Sequence, residues 1–318
     1  MRVISLVFFY LTLILGVPGN AFVVYVAGLK MKRTVNTVGF LNLAIADLLC
    51  CLLTLYYVIE SKFDDYWPYG STTCKIFHFV LHITMFASVF TLNLISLDRF
   101  TLVITPVWAQ NHRSLFMARL SCAGAWILAL IISLPFMMSR EIYTEKNETY
   151  CVHYQADSVH LKMYRRLSII RFVFGFLVPL ICITTCYGFI ARKLGRRHFH
   201  SGRAFRIMLA VIVAFFLCWL PYHIVDLIII YGDQSSSSVG YAVDPLAVSL
   251  AYFNSCLNPI LYVFMGWNFK SNVKLSLRRV FERVFSEEGT QITPKPPSHN
   301  KPTHCSEDMN SFWFLIEL

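Results

Sequence analysis

A handful of ionisable residues stand inside long apolar runs, where each needs a partner or a purpose. Asp47 sits in LNLAIADLL with no basic residue in the same run. Ser88, Asn254, Ser255 and Asn258, on other runs, are the polar groups that could meet it. They could do so as a hydrogen-bond network alone, or they could hold a small cation, with sodium the candidate at Asp47, Ser88, Asn254 and Asn258. Trp219, Tyr222, His223 and Asp226 follow the i, i+3, i+4, i+7 pattern and should share one helix face rising about 10 Å. Arg171 lies two turns before Pro179, Asp244 opens the last run, Arg140 follows the fourth, and His82 lies in the third. This set suits binding of a ligand that carries both an anion and a cation. The competing expectation is that Arg171, Asp226 and Asp244 pair with one another inside the protein. Catalysis finds no footing: the chain has no HExxH, no Walker lysine loop and no convincing nucleophile–base pair.

The elements that must position these residues are membrane spans. Of 318 residues 56% are hydrophobic and only 14% charged, too few polar groups to cover a water-soluble protein of this size. Seven stretches reach the roughly 20 apolar residues that a bilayer core requires. They are Val3–Leu29, Val38–Ile59, Thr73–Val103, Leu115–Phe136, Leu167–Leu194, Ala204–Tyr231 and Ala242–Phe264. The first is too long for a cleaved signal core and lacks a convincing cleavage site, so it is read as a span. The expected fold is an all-α bundle of seven transmembrane helices.

Charge orients the bundle, because lysine and arginine near span ends favour the cytoplasm. Lys30, Lys32, Arg33, His112, Arg113, Arg192, Lys193, Arg196, Arg197 and Arg203 fall on one side. The other side holds Glu60, Asp64, Asp65, Glu141, Glu145, Glu148 and Asp233, with Lys62 and Lys146 as exceptions. The N-terminus is therefore expected outside and the C-terminus inside, at the plasma membrane. The net charge of +10 is then a feature of the cytoplasmic face and its anionic lipids, and nothing points to nucleic acid. Of ten cysteines, only Cys74 and Cys151 face the oxidising side, so these two should pair. The sequon Asn147-Glu148-Thr149 lies in the same outer loop and makes Asn147 a glycosylation candidate.

Beyond the seventh span, NFKSNVKLSLRRVFERVF places Phe269, Val273, Leu277, Val280, Phe281 and Val284 at helical spacing against lysines and arginines. This predicts a short amphipathic cytoplasmic eighth helix lying on the membrane surface. Three regions result: 1–267 the bundle, 268–285 the surface helix, and 286–318 a Pro-, Ser- and Thr-rich tail expected to be disordered. The final Ile316-Glu317-Leu318 could be read by a carboxylate-capturing partner domain. No internal repeat of the inverted-transporter kind is present.

One marker per helix then stands out: Asn20, Asp47, Asp98-Arg99, Trp126, Pro179 with Tyr187, Trp219-Leu220-Pro221 and Asn258-Pro259-Ile260-Leu261-Tyr262. In order and spacing they resemble the signature of rhodopsin-like G-protein-coupled receptors, over Leu13 to about Phe285. Within that class, KMKRTVNTVGFLNLAIADL, PVWAQNHRS, IIRFVFGFLVP, FFLCWLPYH and NSCLNPILYVFMG resemble the leukocyte chemoattractant receptors: the formyl-peptide, complement-anaphylatoxin and chemerin group.

The resemblance implies an extracellular peptide or small-protein agonist and activation of an inhibitory-class heterotrimeric G protein, driving chemotaxis and inflammatory signalling. It implies arrestin as a further partner through the Ser/Thr tail, and no cofactor beyond the candidate allosteric sodium ion. Arg99 would leave an ion pair with Asp98 to meet the G protein. Tyr187 and Tyr262 would close around it, and Pro221, Asn258 and Pro259 would serve as switch elements. No acidic residue lies around Ser201 to Arg206, so a lock from Arg99 to helix six is not expected. Arg171 matches a basic contact residue of formyl-peptide and anaphylatoxin receptors, and Arg140 and Asp244 match anaphylatoxin-receptor contacts. His82 stands where formyl-peptide receptors have aspartate, and Leu167, beside Arg166, where they have arginine. Asp226 has no acidic counterpart in that group. Almost nothing precedes the first span, so either a longer form exists or the outer loops and pocket capture the ligand alone. The alternatives are a lipid-acid receptor of the prostaglandin type, a scavenging receptor that does not signal, and, from another class, a transporter or channel.

Overall fold

The structure is a computed structural model that describes residues 2–60, 66–145, 148–153, 158–201 and 203–265. The surface helix expected at 268–285, the tail at 286–318, Asn147 and the side chain of Tyr262 lie outside the described residues.

Among the described residues the long helices are α1 (Arg2–Lys30), α2 (Val35–Glu60), α3 (Gly70–Ile104), α5 (Leu115–Met138), α6, α7 (Arg203–Tyr231) and α8 (Gln234–Met265), with a short α4 at Pro106–His112. α6 runs as Ser158–Phe172, a widened π turn at Val173–Leu177, and Val178–Ser201. Six of them, α1, α2, α3, α5, α6 and α7, are long and apolar enough to cross a membrane. α8 encloses the seventh expected span but carries Asp244, Ser249, Asn254, Ser255 and Asn258 along its run. The seven-helix expectation holds, and α6 begins well before its predicted start at Leu167.

α3 is the axle of the bundle, packing on α2, α5 and α6, while α8 lies along α7 and also touches α1 and α2. Leu43, Val89, Phe176, Tyr187 and Phe215 meet in one buried cluster between α2, α3, α6 and α7. At 35 residues α3 is about 52 Å long and overshoots a roughly 30 Å hydrocarbon core at both ends. It starts at Gly70, whose φ of 80° permits the tight turn out of Trp67-Pro68-Tyr69. The Ser114 hydroxyl caps α5 by accepting from the Met117 N–H at 3.3 Å.

Two of the prolines account for local irregularities. Pro259 has no N–H, so the carbonyl four residues back, that of Ser255, loses its helical donor. Asn20 of α1 supplies one: its Nδ2 donates to the Ser255 carbonyl at 2.9 Å and to the Gly16 carbonyl at 3.0 Å. This close seating requires small residues. A Cβ on Gly16 would stand 2.5 Å from the Cys51 sulfur, and one on Gly19 would stand 3.0 Å from Pro259. In α6 the π turn precedes Pro179 and absorbs its missing bond.

An element absent from the sequence reading is a β-hairpin between α5 and α6. Strands β1 (Arg140–Glu145) and β2 (Glu148–His153) pair antiparallel, with Ile142 opposite Cys151. The expected disulfide joins Cys151 to Cys74 on α3. A second tie holds the hairpin to the α2–α3 turn: the Trp67 N–H donates to the Thr149 carbonyl at 2.6 Å, and the Thr149 hydroxyl donates to the Trp67 carbonyl at 2.5 Å.

Candidate functional site

Beneath the hairpin lies a cavity of about 770 Å³, bounded by the ends of α2, α3, α6, α7 and α8. The sequence of α7 builds one wall, with Trp219, Tyr222 and Asp226 all lining the space. α6 adds Tyr164 and Arg171, α8 adds Asp244 and Tyr252, α3 adds His82, and the first residue of β1 adds Arg140. The size suits a small molecule or the end of a peptide.

Its electrostatics are asymmetric. Arg171 Nη2 meets Asp226 Oδ2 at 2.6 Å, with side chains only 5% and 9% exposed. Tyr164 donates to the other Asp226 oxygen at 3.3 Å, and the guanidinium lies over the Tyr222 ring at 4.9 Å. The internal-pairing expectation is thus met for Arg171 with Asp226 and not for Asp244, which lines the same cavity outside any ion pair among the described residues. Among the described residues Arg140 is likewise outside any ion pair, and its buried Nε has no hydrogen-bond partner. Burial beside the Arg171 cation makes the Arg140 guanidinium less basic than usual. An unspent cation and an unspent carboxylate therefore face one cavity.

The two sequence-predicted histidines part company. His82 lines the cavity floor, stacked on Phe136 at 4.0 Å with its Nδ1 against the His78 carbonyl at 2.7 Å. His223 does not line the cavity: at 2% exposure it packs among Phe172, Phe176 and Trp219, and both ring nitrogens lack partners. Tyr222 and Glu141 of the hairpin were legible and illegible respectively: the first by helical spacing, the second only once the hairpin was seen to roof the space.

Deeper in the bundle Asp47 is fully buried. Its two oxygens accept from the Ser88 hydroxyl at 2.9 Å and the Asn258 amide at 2.7 Å. Asn254 is buried but makes no hydrogen bond to it. The carboxylate and the hydroxyl are oxygen donors of the kind a hard cation takes, so the residues fit a sodium ion. Cys74, His78 and Cys151 also gather, but the disulfide has consumed both thiolates that a metal would need.

At the end of the bundle away from the hairpin, Asp98 corrects the sequence reading. It pairs with Arg113, beyond α4, through Nε at 2.8 Å and Nη2 at 3.1 Å, and not with its neighbour Arg99. Adjacent helical residues point about 100° apart and cannot face each other. Arg113 Nη2 also reaches Asn36 Oδ1 at 2.8 Å, which ties α2, α3 and the segment after α4 together. Arg99 turns inward, within electrostatic reach of Tyr187 on α6, and its Nε has no partner.

Residues 19–262 match the family described as 7 transmembrane receptor (rhodopsin family). The chain belongs to the rhodopsin family of seven-transmembrane receptors. It is thus a multi-pass membrane protein. It is 68% identical over 292 residues to the C3a anaphylatoxin chemotactic receptor of Danio rerio, covering 92% of this chain and 80% of the relative. The corresponding receptor of Oncorhynchus mykiss is 50% identical over 293 residues, covering 91% and 80%. Formyl peptide receptor 2 of Mus musculus is 38% identical over 316 residues, covering 94% and 90%. These relatives place this rhodopsin-family receptor in the leukocyte chemoattractant group. Trp219 lines the hairpin-end cavity and Pro221 lies inside the same helix, while Asn258 is deeper, bonded to Asp47, and Pro259 is buried against Gly19 of α1.

Proposed function

We propose that this receptor recognises the terminal segment of a peptide or small protein that carries an anion and a cation close together. The observation that carries the reading is that Arg140 and Asp244 line one cavity, each outside any ion pair among the described residues. A free C-terminal carboxylate on Arg140 and a basic side chain on Asp244 would satisfy both at once. The names of the relatives, receptors for C3a anaphylatoxin and formyl peptides, support a peptide agonist of the chemoattractant kind. The hairpin end then faces the outside, as the charge asymmetry of the loops suggests. Agonist binding shifts the population toward a state in which Arg99 and Tyr187 admit an inhibitory-class G protein, with arrestin as a later partner. A sodium ion held by Asp47 and Ser88 would stabilise the packing in which it fits, by binding that state alone.

The test screens a pool of short peptides ending in arginine, as free acids and as carboxamides, beside acidic lipids, on the full chain in lipid nanodiscs. Binding and nucleotide exchange on an inhibitory-class G protein are read together. Free acids should be selected, Arg140→Gln should erase the preference for acid over amide, and Asp244→Asn the preference for arginine over a neutral residue. A response to acidic lipids alone, or an acid preference that survives Arg140→Gln, overturns the reading.

A further inference from the structure

We propose that Asp226 is a resident counter-anion that sets the receptor's selectivity: it occupies Arg171 until a ligand end brings both an anion for Arg171 and a cation for Asp226. The inference rests on the dipolar-peptide reading above and names a residue that enforces it.

Four observations carry it. The pair spans two helices, Arg171 on α6 and Asp226 on α7, and both residues line the cavity, so a ligand meets the pair directly. Both side chains are at least nine-tenths buried, so neither ion can fall back on bulk water when its partner is taken. The pair is seated on two sides, by the Tyr222 ring under the guanidinium and by the Tyr164 hydroxyl on the other carboxylate oxygen. Finally, Arg140 stands unspent in the same space, so a ligand that carries only a carboxylate can be satisfied without opening the pair.

The selectivity follows from charge balance. A ligand that takes Arg171 with a lone carboxylate leaves Asp226 buried without a counter-charge, and one that takes Asp226 with a lone cation leaves Arg171 so. Only a ligand that supplies both exchanges one ion pair for two and strands nothing. Asp226 thus rejects simple organic acids at Arg171 by an unpaired charge, a repulsive element beside the attractive ones. The exchange also touches the helices. α7 packs far more extensively on α8 than on α6, and at the hairpin end the pair joins the Phe172–His223 and Arg165–Tyr231 contacts in holding α7 to α6. Tyr222 and Trp219 share that face of α7, one and two turns from Asp226 toward the middle of the bundle.

The experiment uses a peptide selected in the screen above, with its terminal arginine intact or replaced by norleucine, and measures binding to the full chain in nanodiscs. In Asp226→Asn the ratio of the two affinities should fall about tenfold, chiefly because the norleucine peptide gains. In an Arg171→Gln background, adding Asp226→Asn should raise the affinity of the norleucine peptide by less than about twofold, because the cation that Asp226 guards is gone. If Asp226→Asn fails to fold with Arg171 uncompensated, the neutral pair Arg171→Gln with Asp226→Asn is compared with the unaltered receptor, and the arginine preference should still fall about tenfold. A ratio unchanged in Asp226→Asn or in the neutral pair, or a gain of the norleucine peptide that persists without Arg171, overturns the counter-anion role while leaving the dipolar-peptide reading intact. Failure of every arginine peptide to bind the unaltered receptor overturns that reading, and this inference with it.

Discussion

Arg171 and Asp226 meet at 2.6 Å with side chains 5% and 9% exposed, whereas Arg113 and Asp98 meet at 2.8 Å with side chains 19% and 21% exposed. The two pairs use the same chemistry at opposite ends of the bundle. At the Asp98 end water still reaches the ions, so the pair is one of several ties between α2, α3 and the segment after α4, and each partner can stand alone. At the cavity end neither can, and separation is affordable only to a molecule that replaces both charges. Asp47 adds a third case: a fully buried carboxylate met by a hydroxyl and an amide, with no cationic side chain. Burial decides whether an ion pair fastens two segments or guards a site.

The sharpest way to break this contrast is Arg171→Ala, which strands Asp226 and should cost about 3–5 kcal/mol of stability. Adding Asp226→Ala should recover much of that loss, and thermal melting of the purified receptor reads both. Equal melting of single and double variants would show that the pair is not the uncompensated-charge trap described above. Next comes Cys151→Ser. It removes the covalent tie of the hairpin across a separation of 77 residues and should cost about 2–5 kcal/mol, leaving the Thr149–Trp67 clasp alone. Hydrogen exchange across 140–153 should rise, while exchange in the segment around Arg113 stays unchanged. Between the two ends, Gly16→Ala forces a methyl against Cys51 and should cost about 1–3 kcal/mol, without altering discrimination between peptides. The smallest effect belongs to Arg113→Gln, about 0.5–1 kcal/mol in low salt and less in high salt, because that pair is partly exposed. A loss as large as that of Arg171→Ala would erase the distinction between the ends.

The helices were legible because a bilayer forces long apolar runs, and a run of 20 residues is hard to mistake. α8 was legible despite its polar content through Asn258-Pro259 and its neighbours, which carry the family resemblance. The hairpin was missed because short pairing in a charged loop is weakly encoded and a disulfide helps to fix it. The π turn before Pro179 leaves no periodic trace at all. For the site, helical spacing placed Trp219, Tyr222 and Asp226 correctly on one wall. It misplaced His223 because one helix face spans about 100°, and His223 falls on the edge that turns toward the phenylalanines of α6. Asp98 was assigned to its neighbour in sequence, whereas its partner lies 15 residues on, beyond a short helix that spacing could not foresee.

The bond from Asn20 to the Ser255 carbonyl joins residues 235 positions apart, near the two ends of the bundle's chain. A ribosome that inserts the helices in order delivers the donor first and the acceptor last. Through most of synthesis, then, α1 carries a buried-type amide and two bare glycines with nothing to close upon. The kinked α8 must wait in turn for α1 to supply the donor its proline removed. Closure of the ring is therefore a late, non-local step, and a nascent chain stopped before α8 presents to the insertion machinery an open arc of helices with its first member unfastened.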